Sequence, residues 1–429
     1  MKKMKNQRGI AYLIVISFVM IMMTMVVALK ERTVLNHQIA LNARARLQSY
    51  YLAKSGFSLS KLLLLYNKKI QSQIQKSGVS SSTIGKMGFQ PLYKMFPLSS
   101  ALLRGVADLA GTAGGERAAQ EASNQDGEES ETDGGIGKSV GFLQQEKFKE
   151  FLDFNGDFDV EIDEEQSRYS LNAISKMTST SSSYDLHKKI LLGLLSRKVF
   201  ENFFENQDRD AESLVHALSD YVDANDAVNE FDQAERGRED AEYKGVEFHP
   251  KNGKFLSLSE IRLVPGMSDD IFFNLEPLVS VYQSNDKLNA CLGEEDLLDT
   301  LIVHYTTESG CVNPIDPDDE DLIKELRDEV LLACPDVSAM ANALNVKLGV
   351  KSEQEVTAAE QSGTAESQQT SAQVSGCKVQ FKDLITDAND VFTVSASGTI
   401  DEVRTTLKFV LETSSSSASA WKTLYYQVR

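Results

Sequence analysis

Residues Ile10 to Leu29 read IAYLIVISFVMIMMTMVVAL, twenty positions without a charge, a glycine or a proline. As an α-helix such a run is about 30 Å long, the thickness of a bilayer's hydrocarbon core. Lys2, Lys3, Lys5 and Arg8 precede it, while Lys30, Glu31 and Arg32 follow with a weaker positive excess. That asymmetry leaves the short N-terminal peptide in the cytoplasm and places the remainder of the 429 residues across the membrane. The rest of the chain is acidic: 44 Lys+Arg against 63 Asp+Glu give a net charge of -19, which argues against neutralising a phosphate backbone, so no nucleic-acid partner is expected.

An apolar run near an N-terminus has several readings. A secretory signal has a core of roughly 7 to 15 apolar residues and a small-residue cleavage site, for which Val26-Val27-Ala28 would serve after an unusually long core. A lipoprotein signal needs a cysteine beside the run, and the first cysteine is Cys291. The junction Gln7-Arg8-Gly9-Ile10-Ala11 differs from both, because a basic leader ends in glycine just before the apolar helix begins. This resembles the class III signal of type IV pilins and type II secretion pseudopilins. The resemblance implies cleavage after Gly9 by a prepilin peptidase and methylation of Ile10 as the new first residue. Most pilins carry a glutamate at the fifth mature position, where this chain has Ile14. A carboxylate in the bilayer is costly without a partner, and its absence in an unusually long subunit marks the branch called general secretion pathway protein K.

Beyond the span, Val34, Ile39, Leu41, Leu47, Tyr51, Leu52 and Phe57 recur at helical spacing, which predicts an amphipathic continuation to about residue 70. Gly56 would be tolerated within that helix or would break it. Residues 77–141 are rich in Ser, Gly, Glu and Ala and read as a flexible linker, with a short helix around Pro97 to Ala110. Phe158, Val160 and Ile162 alternate with Asp157, Asp159, Glu161 and Asp163, the period-two pattern of a half-buried strand. The same stretch mimics a calcium loop through Asp153, Asn155, Asp157, Asp159 and Glu164, but Phe158 stands where the turn needs glycine, and strand is the better reading.

From Tyr184 to Val350 the periodicity is helical, with segments near Leu186–Phe204, Ala211–Val222, Ser257–Arg262, Ser268–Glu276 and Leu322–Leu331. This block is similar to the protein K family along most of its length, through RYSLNA at 168–173, ALSDYVDAND at 217–226, GREDAEY at 237–243, LSEIRLVPGM at 258–267 and KLNAC at 287–291. The acidic run Asp316-Pro-Asp-Asp-Glu-Asp321 suits a helix N-terminal cap. Residues 351–376 form a second linker without aromatics, and strand alternation returns in Val391–Ile400, Thr405–Leu411 and Thr423–Val428. The expected fold class is α+β: a pilin-like N-terminal membrane helix packed on a small antiparallel sheet, interrupted by a large helical insertion. The divisions are a leader at 1–9, the membrane part of the helix at 10–29, its periplasmic continuation at 30–76, a linker at 77–141, a strand region at 142–183, the insertion at 184–350, a linker at 351–376 and closing strands at 377–429.

Catalytic patterns are weak. Gly137-Lys138-Ser139 lacks the first glycine of a phosphate loop, since Thr132 stands there, and the G-x-S-x-G match at 137–141 follows an acidic linker rather than a buried strand. The five histidines form no H-E-x-x-H pair. No enzyme is expected. The family resemblance implies calcium in the helical domain, and the local motifs point to Asp220, Asp223, Asp226, Glu239 and Asp240, hard oxygen donors on two neighbouring acidic stretches. A solvated acidic face is the alternative. Four cysteines outside the membrane segment suit an oxidising periplasm and allow three full pairings, with Cys291–Cys334 and Cys311–Cys334 the local candidates.

The resemblance therefore implies a single-pass protein of the bacterial inner membrane, with its C-terminal bulk in the periplasm, at the tip of a type II secretion pseudopilus. Its implied partners are other minor pseudopilins in a tip complex, the major pseudopilin, the inner-membrane assembly platform and the prepilin peptidase. An anchored periplasmic binding or scaffold protein unrelated to secretion is the alternative.

Overall fold

The computed structural model describes residues 8–76, 91–95, 97–105, 154–179, 181–204, 210–231, 235–239, 243, 249–283, 286–350, 377–415 and 417–429. One helix, Arg8–Lys76, runs for 69 residues, about 100 Å at the α-helical rise. It contains the apolar segment, is long and apolar enough to cross a membrane, and buries none of that segment against the protein. Gly9 and Ile10 lie in its first turn. Ile14 is exposed in the apolar segment.

The C-terminal part of this helix lies across a five-stranded sheet. The strands run, in spatial order, Leu98–Ser99, Asp157–Glu164, Val391–Ile400, Val403–Glu412 and Lys422–Val428, every neighbour antiparallel. The early strand alternates as its sequence requires, with Phe158, Val160 and Ile162 buried and Asp157, Asp159 and Glu161 exposed. The closing strands appear where the alternation placed them, each extended by one or two residues at its ends where it differs at all. Leu98–Ser99 was expected in a short helix; it instead pairs with Val160 and Asp159 at the sheet edge, and residues 100–105 are helical. Within the same stretch, read from sequence as a flexible linker, Leu92–Met95 is also helical and buries Tyr93; the rest of both linkers lies outside the described residues, as does Ser139.

The helix meets the sheet through only the last two residues of the apolar stripe that its periodicity suggests, Leu52 and Phe57. Val34, Ile39, Leu41, Leu47 and Tyr51 are exposed, while Ala45, Ser49, Ala53, Phe57, Ser60 and Leu64 are buried. Small side chains win here because the backbones approach closely: a Cβ on Gly398 would sit 2.1 Å from the Ser49 carbonyl oxygen and 2.7 Å from the Ala53 nitrogen. Gly56 plays the same part from the helix side, where a Cβ would sit 2.8 Å from Val160 Cγ2. Phe57 stacks on Phe409 at 3.6 Å between centroids, and the hydroxyls of Ser49 and Thr405 share a buried 2.7 Å hydrogen bond.

Between the second and third strands the chain builds a helical domain with its own core, from Leu171 and Ile174 through Leu191, Leu218, Ile261, Ile302 and Leu344 to Phe381. The stretch expected as one helix to Phe204 is two, Ser182–Leu195 and Lys198–Phe204, and residues 258–263 form a 3-10 turn rather than α-helix. Helices Glu295–Glu308 and Val337–Lys347 complete the domain. Asp319 caps the Glu320–Leu332 helix by accepting from the Leu322 amide, the role foreseen for that acidic run. Cys291 is bonded to Cys334, but Cys311 pairs with Cys377, 66 residues away, and not with Cys334. The local preference missed this because folding returns residue 377 to the end of the Glu295–Glu308 helix, where the Lys378 amide donates to the Ser309 carbonyl at 2.9 Å.

The domain joins the sheet through buried polar groups. Glu165 accepts from Arg168 (3.1 Å) and from the hydroxyls of Thr393 and Ser280, and Gln166 Oε1 accepts from the amides of Asp390 and Val391 at 2.9 Å each.

Two expected outcomes follow from this packing. Gly398→Ala forces the helix off the sheet and should cost at least about 2 kcal/mol, read as a lowered urea midpoint; an unchanged midpoint would contradict the close approach. His187 and His304 are buried in the helical core, and burial lowers both below the ordinary value of 6.5, His304 to about 4. A histidine with a depressed folded value adds stability above its unfolded value and loses it as pH falls through the window from 6.5 to about 4. His304→Gln should therefore lose about 1 to 2 kcal/mol less than the parent between pH 7 and pH 5, measured by denaturant titration at each pH, whereas parallel curves would exclude His304 as the source.

Candidate metal centre

The helix Ala211–Val222 starts on an Asp210 cap, whose carboxylate accepts from the Ser213 amide at 2.9 Å, and it delivers Asp220 in its last turn. Asp223 is the residue at which the helix ends. The chain then forms a hairpin, Ala227–Asn229 against Glu235–Arg238, and its far strand leads into Glu239. The Glu239 amide donates to the Asp226 carbonyl at 3.3 Å, which returns Glu239 to the helix end. As a result, one carboxylate oxygen from each of Asp220, Asp223 and Glu239 lies within 4.8 Å of the others, and all three residues are buried.

Of the five carboxylates singled out in the sequence, the structure gathers these three. Asp226 is exposed and turns to Asn252, whose amide nitrogen it accepts from at 2.9 Å. Asp240 lies outside the described residues.

Residues that the sequence reading passed over complete the surroundings. The backbone amide of Asn229 donates to Asp220 Oδ1 at 3.1 Å. Its side-chain Nδ2 lies 2.8 Å from Asp223 Oδ2, 2.8 Å from the Ala227 carbonyl, 3.3 Å from Asp220 Oδ1 and 3.4 Å from Asn225 Oδ1. Four oxygens thus converge on a nitrogen that carries two protons. Tyr184 donates its hydroxyl to Asp223 Oδ2 at 2.7 Å from the neighbouring Ser182–Leu195 helix. From the same helix Lys188, fully buried, donates to the Asn229 carbonyl and lies over the rings of Tyr184 and Phe231 at 5.2 and 4.9 Å.

Burial governs the electrostatics. It pushes the Asp220 carboxyl up to about 7 and raises Asp223 as well, while it lowers Lys188 to about 8 against the pull of Asp220. Carboxylates packed this tightly need positive charge or protons to stay folded together. The available donors are all oxygen, from carboxylates, an asparagine side chain and a peptide carbonyl, the set that suits a hard cation such as calcium. Asn225 and Asn229 were legible as neighbours of the acidic run. Nothing local marks Tyr184 or Lys188, which precede it by more than thirty residues and join it only through helix packing.

Residues 167–284 match the family model described as type II secretion system (T2SS), protein K. The chain is also similar to the crystal structure of the GspK-GspI-GspJ complex from the enterotoxigenic Escherichia coli type 2 secretion system, with 18% identity over 64% of this chain and 80% of that chain and a TM-score of 0.39. Among curated proteins no match was found. Residues 167–284, which hold the three gathered carboxylates together with Tyr184, Lys188 and Asn229, are thus the part of the chain that is similar to protein K of the type II secretion system.

Proposed function

We propose that the chain is a minor pseudopilin that caps the tip of a type II secretion pseudopilus and supports secretion of folded proteins across the outer membrane. The observation that carries this reading is a protein K domain at residues 167–284 borne on one helix that continues unbroken from an uncharged apolar segment to the sheet. In this reading residues 1–9 are a prepilin leader, removed after Gly9 by the prepilin peptidase, and Ile10 becomes the methylated first residue. Ile14 leaves the fifth position without a carboxylate, so the subunit does not need a neighbour's terminal amine to neutralise it in the bilayer. That suits the end of a filament, where no subunit stands above.

The chain acts by assembly, without a bond-making step. Residues 30–44 expose about 22 Å of helix between the membrane segment and the sheet. There Val34, Leu35, Ile39 and Leu41 offer apolar surface for neighbouring helices of the bundle. The partners are other minor pseudopilins in a tip complex, the major pseudopilin below, and the assembly platform of the inner membrane, with the globular bulk in the periplasm. Calcium would be held by Asp220, Asp223 and Glu239, supplying the positive charge that joins the helix end to the hairpin.

Mass spectrometry of the mature protein from cells with and without the prepilin peptidase tests the pathway. A methylated N-terminal Ile10 that depends on the peptidase is expected; an N-terminus at Leu29, or an intact leader in both strains, would overturn it. For the metal, calcium at a hundredfold its Kd should stabilise the protein by about 3 kcal/mol over a chelated sample. Asp223→Asn should abolish most of that difference in a thermal melt, and equal melting with calcium and with chelator in the parent would remove calcium from the reading.

A further inference from the structure

The exposed side of the long helix carries a pattern that the sheet does not use. Val34, Leu41, Gln48, Ser55 and Leu62 follow at intervals of seven, and Leu52, Leu59 and Tyr66 fall four residues after the last three. Steps of alternately four and three residues form the seam of two helices packed side by side. The described residues leave Val34, Leu41, Ser55, Leu62 and Tyr66 exposed and Gln48, Leu52 and Leu59 half-buried. Midway along the seam lies a groove of about 320 Å³. Its helix wall includes Gln48, Tyr51, Leu52 and Ser55, the spacing of the four residues that bound a hole for one side chain of a facing helix, and its other wall includes Phe154, Phe158 and Ile400. A helical partner with an apolar knob fits this shape.

Charge narrows the partner further. Residues 30–76 hold nine Lys or Arg and one acidic residue, Glu31, in a chain of net charge -19. Among the described residues only Lys68 of this helix is in an ion pair, with Asp390. Arg44 and Lys54 are exposed beside the seam, on the flank away from the sheet. Anionic lipid does not account for them, because they stand about 22 and 37 Å beyond Leu29 at the α-helical rise, against a screening length of about 8 Å. We propose that this seam receives the helix of a second pseudopilin, one that sets an apolar side chain in the groove and carboxylates against Arg44 and Lys54. The proposal rests on the pseudopilin reading above and adds the chemistry of the neighbour: an amphipathic helix, acidic along one flank.

The test places the photo-crosslinker p-benzoylphenylalanine at Ser55, in cells that make all the pseudopilins of the same secretion system, and maps the cross-linked peptides by mass spectrometry. The expected product joins Ser55 to the helix of a second pseudopilin, close to Asp or Glu residues of that helix. Arg44→Glu with Lys54→Glu should lower its yield about tenfold, and reversing the partner's carboxylates to Lys should restore it. In isolated membranes the parent's yield should fall as salt is raised, which reads the charge term without a variant that has to fold. A cross-link to lipid, to residues 116–133 of the same chain, to a protein that is no pseudopilin or to a helix without carboxylates would overturn the proposal, as would a yield indifferent to salt. An absent cross-link in a chain whose Ile10 is methylated through the peptidase would overturn the seam alone. An absent cross-link together with an intact leader would overturn the pseudopilin reading and the seam with it.

Discussion

The close approach of the N-terminal helix to the strand Val391–Ile400 is the contact on which the rest of the molecule hangs. Gly398 admits the helix backbone at Ser49 and Ala53, and Gly56 admits the sheet from the other side. Small residues at such a contact bring the two backbones near enough for dispersion between them and for the buried Ser49–Thr405 hydrogen bond. The helix can then bear on a sheet whose strands come from distant parts of the chain, Asp157–Glu164 before the helical domain and the others after it.

At the far end of the sheet, the helical domain is attached by buried polar groups as well as by apolar packing. Glu165 and Gln166 hold groups of the strand Val391–Ile400, of Asp390 and of Ser280 together. Buried polar groups are costly unless satisfied and directional once they are, so the junction favours one arrangement of domain and sheet. The Cys311–Cys377 bond adds a covalent tie where the chain leaves the domain for its last strands. The acidic centre serves the domain locally, closing the helix Ala211–Val222 onto its following hairpin.

Much of the architecture was legible in the chain's own periodicity. The alternation of Phe158, Val160 and Ile162 gave a strand, and the later alternating runs gave its partners, because period two leaves a half-buried strand little choice of face. The helix was legible in length but not in its buried face. Of the apolar stripe only Leu52 and Phe57 pack on the sheet, while Val34, Ile39, Leu41, Leu47 and Tyr51 stay exposed and the sheet takes Ala45, Ser49 and Ala53, since helix–sheet distance is decided by the smallest residues at the contact. In the acidic centre, Asp220, Asp223 and Glu239 were named from local motifs, whereas Asp226 turned outward to Asn252, a partner 26 residues on.

Hydropathy and periodicity act over a few neighbouring residues, so the membrane-length segment, the identity of the strands and the helical character of the central block are written locally in the chain. Packing between distant elements settles that Cys311 meets Cys377, that Lys188 and Tyr184 stand behind the carboxylates, and that the glycines mark close backbone approach. Each of these is a pairing between residues far apart in the chain, settled by how elements pack together, and no local pattern encodes the distance across a packed interface.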